Sequence, residues 1–246
     1  GLPPGSVIFT GDKMVDKVIM HYMQYDAQSL KEIELDTHQK ITLQPSEDHL
    51  VDWYDIRGVH DTKFIEQIGK MFEIHPLIQE DIADTHNRPK YDEYPTGNFI
   101  ILKALAFDAV NNQIVTEQVG IYFRKGLVVT FQETESDLFQ SVRSRISSGK
   151  GRIKARGSDY LSYALMDAVV DNYFVVMDNL EDTIEIIEDT LLNKPTSQIK
   201  ERVHFLKKEL LKMRKSVAPL REAISRFSKS ESPLIEDSSL VFTRDL

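Results

Sequence analysis

NFIILKALAFDAVNNQIVTEQVGIYFRKGLVVTF, residues 98–131, is the stretch on which the fold turns. It contains three runs, 98–107, 113–123 and 126–131, dominated by β-branched and aromatic residues. Asn111-Asn112 and the Arg124-Lys125-Gly126 turn separate the runs by only a few residues, so they read as consecutive antiparallel strands. Upstream, VIMHYM (18–23), SLKEIELD (29–36) and VDWYDI (51–56) read as further strands, with Trp53 and the strand aromatics in the core. Residues 62–74 place Phe64, Ile65, Ile68, Met71 and Phe72 at helical spacing, and residues 137–146 read as a helix closing the unit. Helices interleaved with strands predict an α/β (α+β) fold: α/β/α layers around a mixed, partly antiparallel sheet.

The character of the chain changes after SSGKGRIKARGS, residues 147–158. Leu161, Leu165, Val169, Tyr173, Val176, Leu180, Ile184, Ile187 and Leu191 are spaced three or four apart, which predicts one long amphipathic helix. Asn193-Lys194-Pro195-Thr196-Ser197 interrupts it. The pattern restarts as Val203, Leu206, Leu210, Met213, Val217, Leu220, Ile224 and Phe227, a heptad seam. Two long helices joined by a short turn predict an antiparallel hairpin. Asp178, Glu181, Asp182, Glu185, Glu188 and Asp189 crowd the end of the first arm, while the second arm is rich in Lys and Arg. That asymmetry fits a solvated, mutually attracting pair, or an acidic end that concentrates cations. The expected organisation is an α/β/α domain over 1–156, the helical hairpin over 157–232, and the start of a stalk helix over 233–246. The last segment breaks off inside an uncapped apolar pattern, and the chain starts at Gly1. Both features lead us to expect a fragment whose continuation includes a membrane part.

At 246 residues, 41% hydrophobic and 28% charged, the chain has the composition of a globular protein with a real core. Its formal charge of −9 argues against a nucleic-acid binder, which needs a basic footprint. The absence of cysteine excludes disulfides, a thiolate nucleophile and Cys-based zinc sites. No run reaches the roughly 18 apolar residues of a membrane helix. There is no Gly-rich phosphate loop, G-x-S-x-G elbow or H-E-x-x-H helix, so the chain is read as a non-enzyme. The seven histidines never fall three or four apart, so no zinc site on one helix is indicated.

The chemistry that is present is carboxylate chemistry. HPLIQEDIADTHNRPK, residues 75–90, reads as a short helix opened by Pro76 and ended by Pro89. On such a helix Glu80 and Asp84, and Asp81 and Asp84, share a face with no lysine between them. Magnesium takes oxygen ligands, keeps several waters and needs only one or two carboxylates, so Glu80, Asp81 and Asp84 suit it. Asp167 and Asp171 lie beside the apolar stripe of the long helix, where an ionised carboxylate costs desolvation unless it is paired or metal-bound.

IHPLIQEDIADTHNRPK (74–90), the strand motifs FIILK and EQVGIYF, YLSYALMDAVVDNYF (160–174), Leu220-Arg221-Glu222, PLIED (233–237) and FTRDL (242–246) occur here in one order. Together they resemble the cytoplasmic domain of CorA-type magnesium transporters, over nearly the whole chain. The resemblance implies an α/β/α domain, a helical hairpin and a stalk helix, on the cytoplasmic face of the inner membrane. It implies five subunits arranged as a funnel around an ion path, with the membrane helices and the Gly-Met-Asn pore signature beyond Leu246. By motif position it makes Asp81 a regulatory-site carboxylate and Asp245 its partner from the adjacent subunit, with Glu80 and Asp167 in a neighbouring second site. The implied ligand is Mg2+, with Co2+ or another divalent cation also possible, and its binding between subunits would favour the closed state. The rival readings are a related zinc transporter, a soluble α/β enzyme with a helical dimerisation arm, and a scaffold that binds a partner helix.

Overall fold

The computed structural model describes residues 3–35, 50–193 and 197–246. Seven strands form one sheet: β1 (Ile19–Tyr25), β2 (Leu30–Leu35), β3 (Val51–Arg57), β4 (Lys90–Tyr94), β5 (Gly97–Asp108), β6 (Gln113–Arg124) and β7 (Leu127–Gln132). Their order across the sheet is β2-β1-β3-β7-β6-β5-β4. β3 and β7 pair in parallel, and the other neighbouring pairs are antiparallel. The mixed sheet read from the sequence is therefore present, and the three strands of 98–131 are consecutive and antiparallel as expected. β4 was not anticipated. Residues 194–196 of the expected hairpin turn and the last residue of the run 29–36 lie outside the described residues.

Each face of the sheet carries its own core. On one face α1 (Thr62–Phe72) and α2 (Pro76–Ala83) cover Tyr54, Ile56, Phe99, Ile101, Tyr122 and Val129. On the other, α3 (Gln140–Ser147), α4 (Ser158–Asn193) and α5 (Ser197–Ser228) cover Trp53, Ile100, Leu102, Ile121, Phe123 and Val128. Strand alternation divides the two sets. β3 and β7, in the middle of the sheet, are buried at every position, as strands covered on both faces must be. Trp53 is fully buried and its indole N–H donates to Thr130 Oγ1. Beside it, the buried Asp55 accepts from Thr130, Arg57 and Arg143, so no charge in this cluster is left without an opposite.

α4 and α5 are the expected long pair, but the apolar seam is used only in part. Leu161 to Leu180 on α4 and Leu220, Ile224 and Phe227 on α5 are buried against the sheet. Val203, Leu210 and Val217 on α5 and Leu191 on α4 are exposed. The β5–β6 turn marks the change: Thr183 donates to Asn112 and the Ile114 N–H donates to Glu209. The six carboxylates at the far end of α4 are exposed.

The segment expected to begin a stalk helix is helical from Asp237, as α6 (Asp237–Leu240) followed by a 3-10 turn over Val241–Asp245. It docks on the start of α4. The Glu236 N–H donates to Asp159, Arg156 donates to Ser238, and Phe242 lies edge-on to Tyr160. No helix of the described residues is long and apolar enough to cross a membrane.

Candidate cation site

The site is built on α2. His75 caps the helix, its Nδ1 accepting from the Leu77 N–H, and Pro76 supplies a first turn that needs no donor. Ile78, Ile82 and Ala83 bury one face against the sheet, and Gly69 lets α1 approach so closely that a Cβ there would strike Gln79 at 2.2 Å. The sequence reading ended this helix at Pro89, which is too long. α2 ends at Ala83, Asp84 is its extended C-cap, and Pro89 leads into β4. Asp84 therefore shares no helix face with Glu80 and Asp81. Its Oδ1 turns back to accept from Thr10 at 2.6 Å and from the His86 N–H at 3.1 Å. Burial pushes the Asp84 carboxyl up, but these hydrogen bonds outweigh it and hold it below its usual range.

The carbonyl end of α2 is held by side chains from three places. Asn87 and Gln118 each donate to both Asp81 O and Asp84 O, and Lys103 donates to Thr85 O at 2.6 Å. These groups satisfy carbonyls that a helix C-terminus leaves without partners, and they fix the backbone that carries Asp81.

Asp81 is half-buried, and the sequence reading erred in leaving it without a lysine. Lys90 Nζ lies 2.6 Å from Asp81 Oδ2 and 3.2 Å from Asp92 Oδ2. Lys90 and Asp92 are two apart on β4, so both point to the α2 side while Tyr91 points to the other. Burial raises the Asp81 carboxyl, Lys90 opposes that, and Asp92 and Glu80 reinforce it; the net direction is up. Burial pulls the Lys90 ammonium down, but its contacts with Asp81 and Asp92 prevail and raise it. Both groups shift upward: for Asp81 burial is the largest cause and Lys90 does not cancel it, whereas for Lys90 the two carboxylates together outweigh burial. Lys90 thus holds its proton more firmly than a free lysine, because it lies between two carboxylates.

The remaining candidates are dispersed. Glu80 accepts from the Gly5 N–H at 2.6 Å. Asp167 is half-buried on α4, on the opposite layer from Glu80 and Asp81, and Asp171 is exposed. Asp245 closes the C-terminal 3-10 turn. The oxygen donors of Asp81, Glu80 and Asp92 are of the kind Mg2+ prefers. Among the described residues, though, no three His, Cys, Asp or Glu side chains are grouped to hold a metal within one chain. Asn87, Lys90 and Gln118 were missed as site residues. The Arg-Pro-Lys exit was the visible signal for Lys90, but its meaning depends on β4 returning beneath α2.

A family model described as CorA-like Mg2+ transporter protein matches residues 48–246. The chain is 36% identical over 246 residues to the cobalt/magnesium transport protein CorA of Thermotoga maritima, covering 100% of this chain and 70% of that protein. The soluble domain of CorA from Methanocaldococcus jannaschii superposes with a TM-score of 0.72 at 23% identity, covering 91% of this chain and 85% of that one. The ZntB cytoplasmic domain from Vibrio parahaemolyticus gives 0.67 at 14% identity, covering 92% and 86%. The last two likenesses are of fold.

Proposed function

This chain belongs to the CorA-like Mg2+ transporter family, and from that premise we propose that it is the cytoplasmic ion-sensing and gating domain of a Mg2+ and Co2+ channel or transporter. In this reading the domain makes and breaks no covalent bond. It works as a homo-oligomer, a pentamer in the whole protein, on the cytoplasmic face of the inner membrane. A divalent cation bridges Asp81 of one copy and Asp245 of the next, and Glu80 and Asp167 contribute to a neighbouring site.

The observation that carries this reading is a half-buried carboxylate, Asp81, on a braced helix end where a cation, Lys90, already lies 2.6 Å away, with no group of three metal-ligating side chains among the described residues. Glu80 and Asp167 lie on opposite layers of the fold, which suits a site completed by two copies. A divalent cation between Asp81 and the carboxylate of a neighbouring copy attracts both, by about 4 kcal/mol per unit charge pair at about 4 Å and an effective dielectric near 20, whereas Lys90 balances Asp81 alone and joins no second copy. High Mg2+ then holds copies together and favours the closed state, and low Mg2+ releases them. The all-oxygen donors of α2 favour Mg2+ over Zn2+ as the regulating ion.

The test is the melting temperature of the chain in EDTA and in millimolar MgCl2. A ligand that binds only the native assembly adds about 2.7 kcal/mol at a hundredfold excess over Kd. Mg2+ is expected to raise the melting temperature of the parent and to leave Asp81→Asn unmoved. An unchanged parent would contradict the proposal.

A further inference from the structure

Lys90 places a positive charge where the proposed cation would have to act. Its Nζ bridges Asp81 and Asp92 at 2.6 and 3.2 Å, and Arg226 Nη1 reaches the other oxygen of Asp92 at 3.8 Å. The strand under Lys90 is fixed. Tyr91 Oη lies 2.9 Å from Ser230 Oγ and donates to Glu93, and its ring meets Phe227 edge-on at 5.4 Å. Only the lysine stem is therefore available to move. The side chain is 33% exposed, so its four-carbon stem has a way out to water. A departing ammonium would leave Asp92 with Arg226, while Asp81 would take the incoming ion.

We infer that Lys90 is a tethered counter-cation: it neutralises Asp81 when no divalent ion is bound, and its displacement sets the Mg2+ concentration at which the site fills. The inference rests on the reading of Asp81 as a cation-binding carboxylate and adds a regulatory part to it. The ion-free state is then a paired carboxylate rather than a bare one, and filling the site exchanges a single charge on a leash for a double charge that can also hold a neighbouring copy. Competition of this kind raises the Mg2+ midpoint while protecting the ion-free fold from an unpaired, half-buried charge.

The experiment titrates MgCl2 into the parent, Lys90→Met and Lys90→Arg and follows the melting temperature. Lys90→Met keeps the stem and removes the competitor. It should melt below the parent in EDTA and reach its Mg2+ midpoint at a concentration roughly three- to tenfold lower, the scale of one partly screened charge pair. Lys90→Arg keeps the charge and should stay with the parent in EDTA, with a midpoint no lower than the parent's. If Lys90→Met fails to fold in EDTA, its refolding on adding Mg2+ carries the same information, and recovery only above the parent's midpoint counts against the inference. A parent that responds to Mg2+ together with a Lys90→Met midpoint equal or higher overturns the tethered-cation role alone. A parent indifferent to Mg2+ overturns the site reading and this inference with it.

Discussion

The two halves of α4 carry the same apolar stripe and meet different fates. From Leu161 to Leu180 the stripe lies on β5 and β6 and is buried; beyond the sheet Ile187 stays buried, but the stripe ends in Leu191 at 53% exposure, beside Leu192 at 81%. α5 shows the same division in reverse, with Phe227 at 0% and Val203 at 49%. Periodicity specifies a helix and its apolar face; what covers that face depends on where the sheet ends. Helices draw most of their stability from tertiary packing, so the proximal halves belong energetically to the α/β unit and the distal halves rest on each other.

The largest test of this division is Phe227→Ala. The ring touches Tyr91 and Phe123 in the sheet-side core, and its removal should cost about 3–5 kcal/mol in denaturant unfolding, the usual scale for a buried aromatic. A loss below about 1 kcal/mol would place α5 outside the cooperative unit of the sheet.

A smaller effect separates the regions by pH. Burial pushes the half-buried Glu117 carboxyl above its usual range, more strongly than hydrogen bonds from Thr134 and Ser136 pull it down. Between that raised value and the ordinary 4.5 the folded chain holds a proton that the unfolded chain has released. Stability from this group therefore rises as pH falls through the window. His21 and His60, held low by burial, slope the other way below about 6.5, so the comparison must be with the parent. Glu117→Gln should flatten the parent's slope between neutral pH and 4.5 and add stability at neutral pH; an unchanged slope would remove Glu117 from the account. The smallest effect belongs to the distal end, where Leu192→Ser should change unfolding free energy by less than about 0.5 kcal/mol. A loss of 2 kcal/mol there would mean that the exposed stripe is covered in solution.

The sequence made β5, β6 and β7 legible because long apolar runs and tight turns leave few alternatives, and Asn112 and Gly126 do take positive φ in those turns. β4 was not legible. KYDEY is short and polar, and only its pairing with β5 makes it a strand. The same omission stretched α2 through Asp84 and hid the Asp81–Lys90 pair, because residues nine apart meet only when the chain folds back. Residue type and spacing singled out Glu80, Asp81 and Asp84 together, and only the resemblance gave Asp81 its role. Its braces, Asn87 and Gln118, act through amide groups that no charge pattern announces. The heptad seam of α5 is apolar as read, and how much of it is packed was not legible, since periodicity carries no information about the length of the partner surface.

The central claim is that a divalent cation at Asp81 joins copies of this chain. Sedimentation velocity of the parent and of Asp81→Asn, each in EDTA and in millimolar MgCl2 at fixed protein concentration and ionic strength, addresses it directly. The account predicts that Mg2+ shifts the parent to a larger species and leaves Asp81→Asn where it was in EDTA. A parent with the same sedimentation coefficient in both buffers, or a shift that Asp81→Asn shares in full, would contradict it.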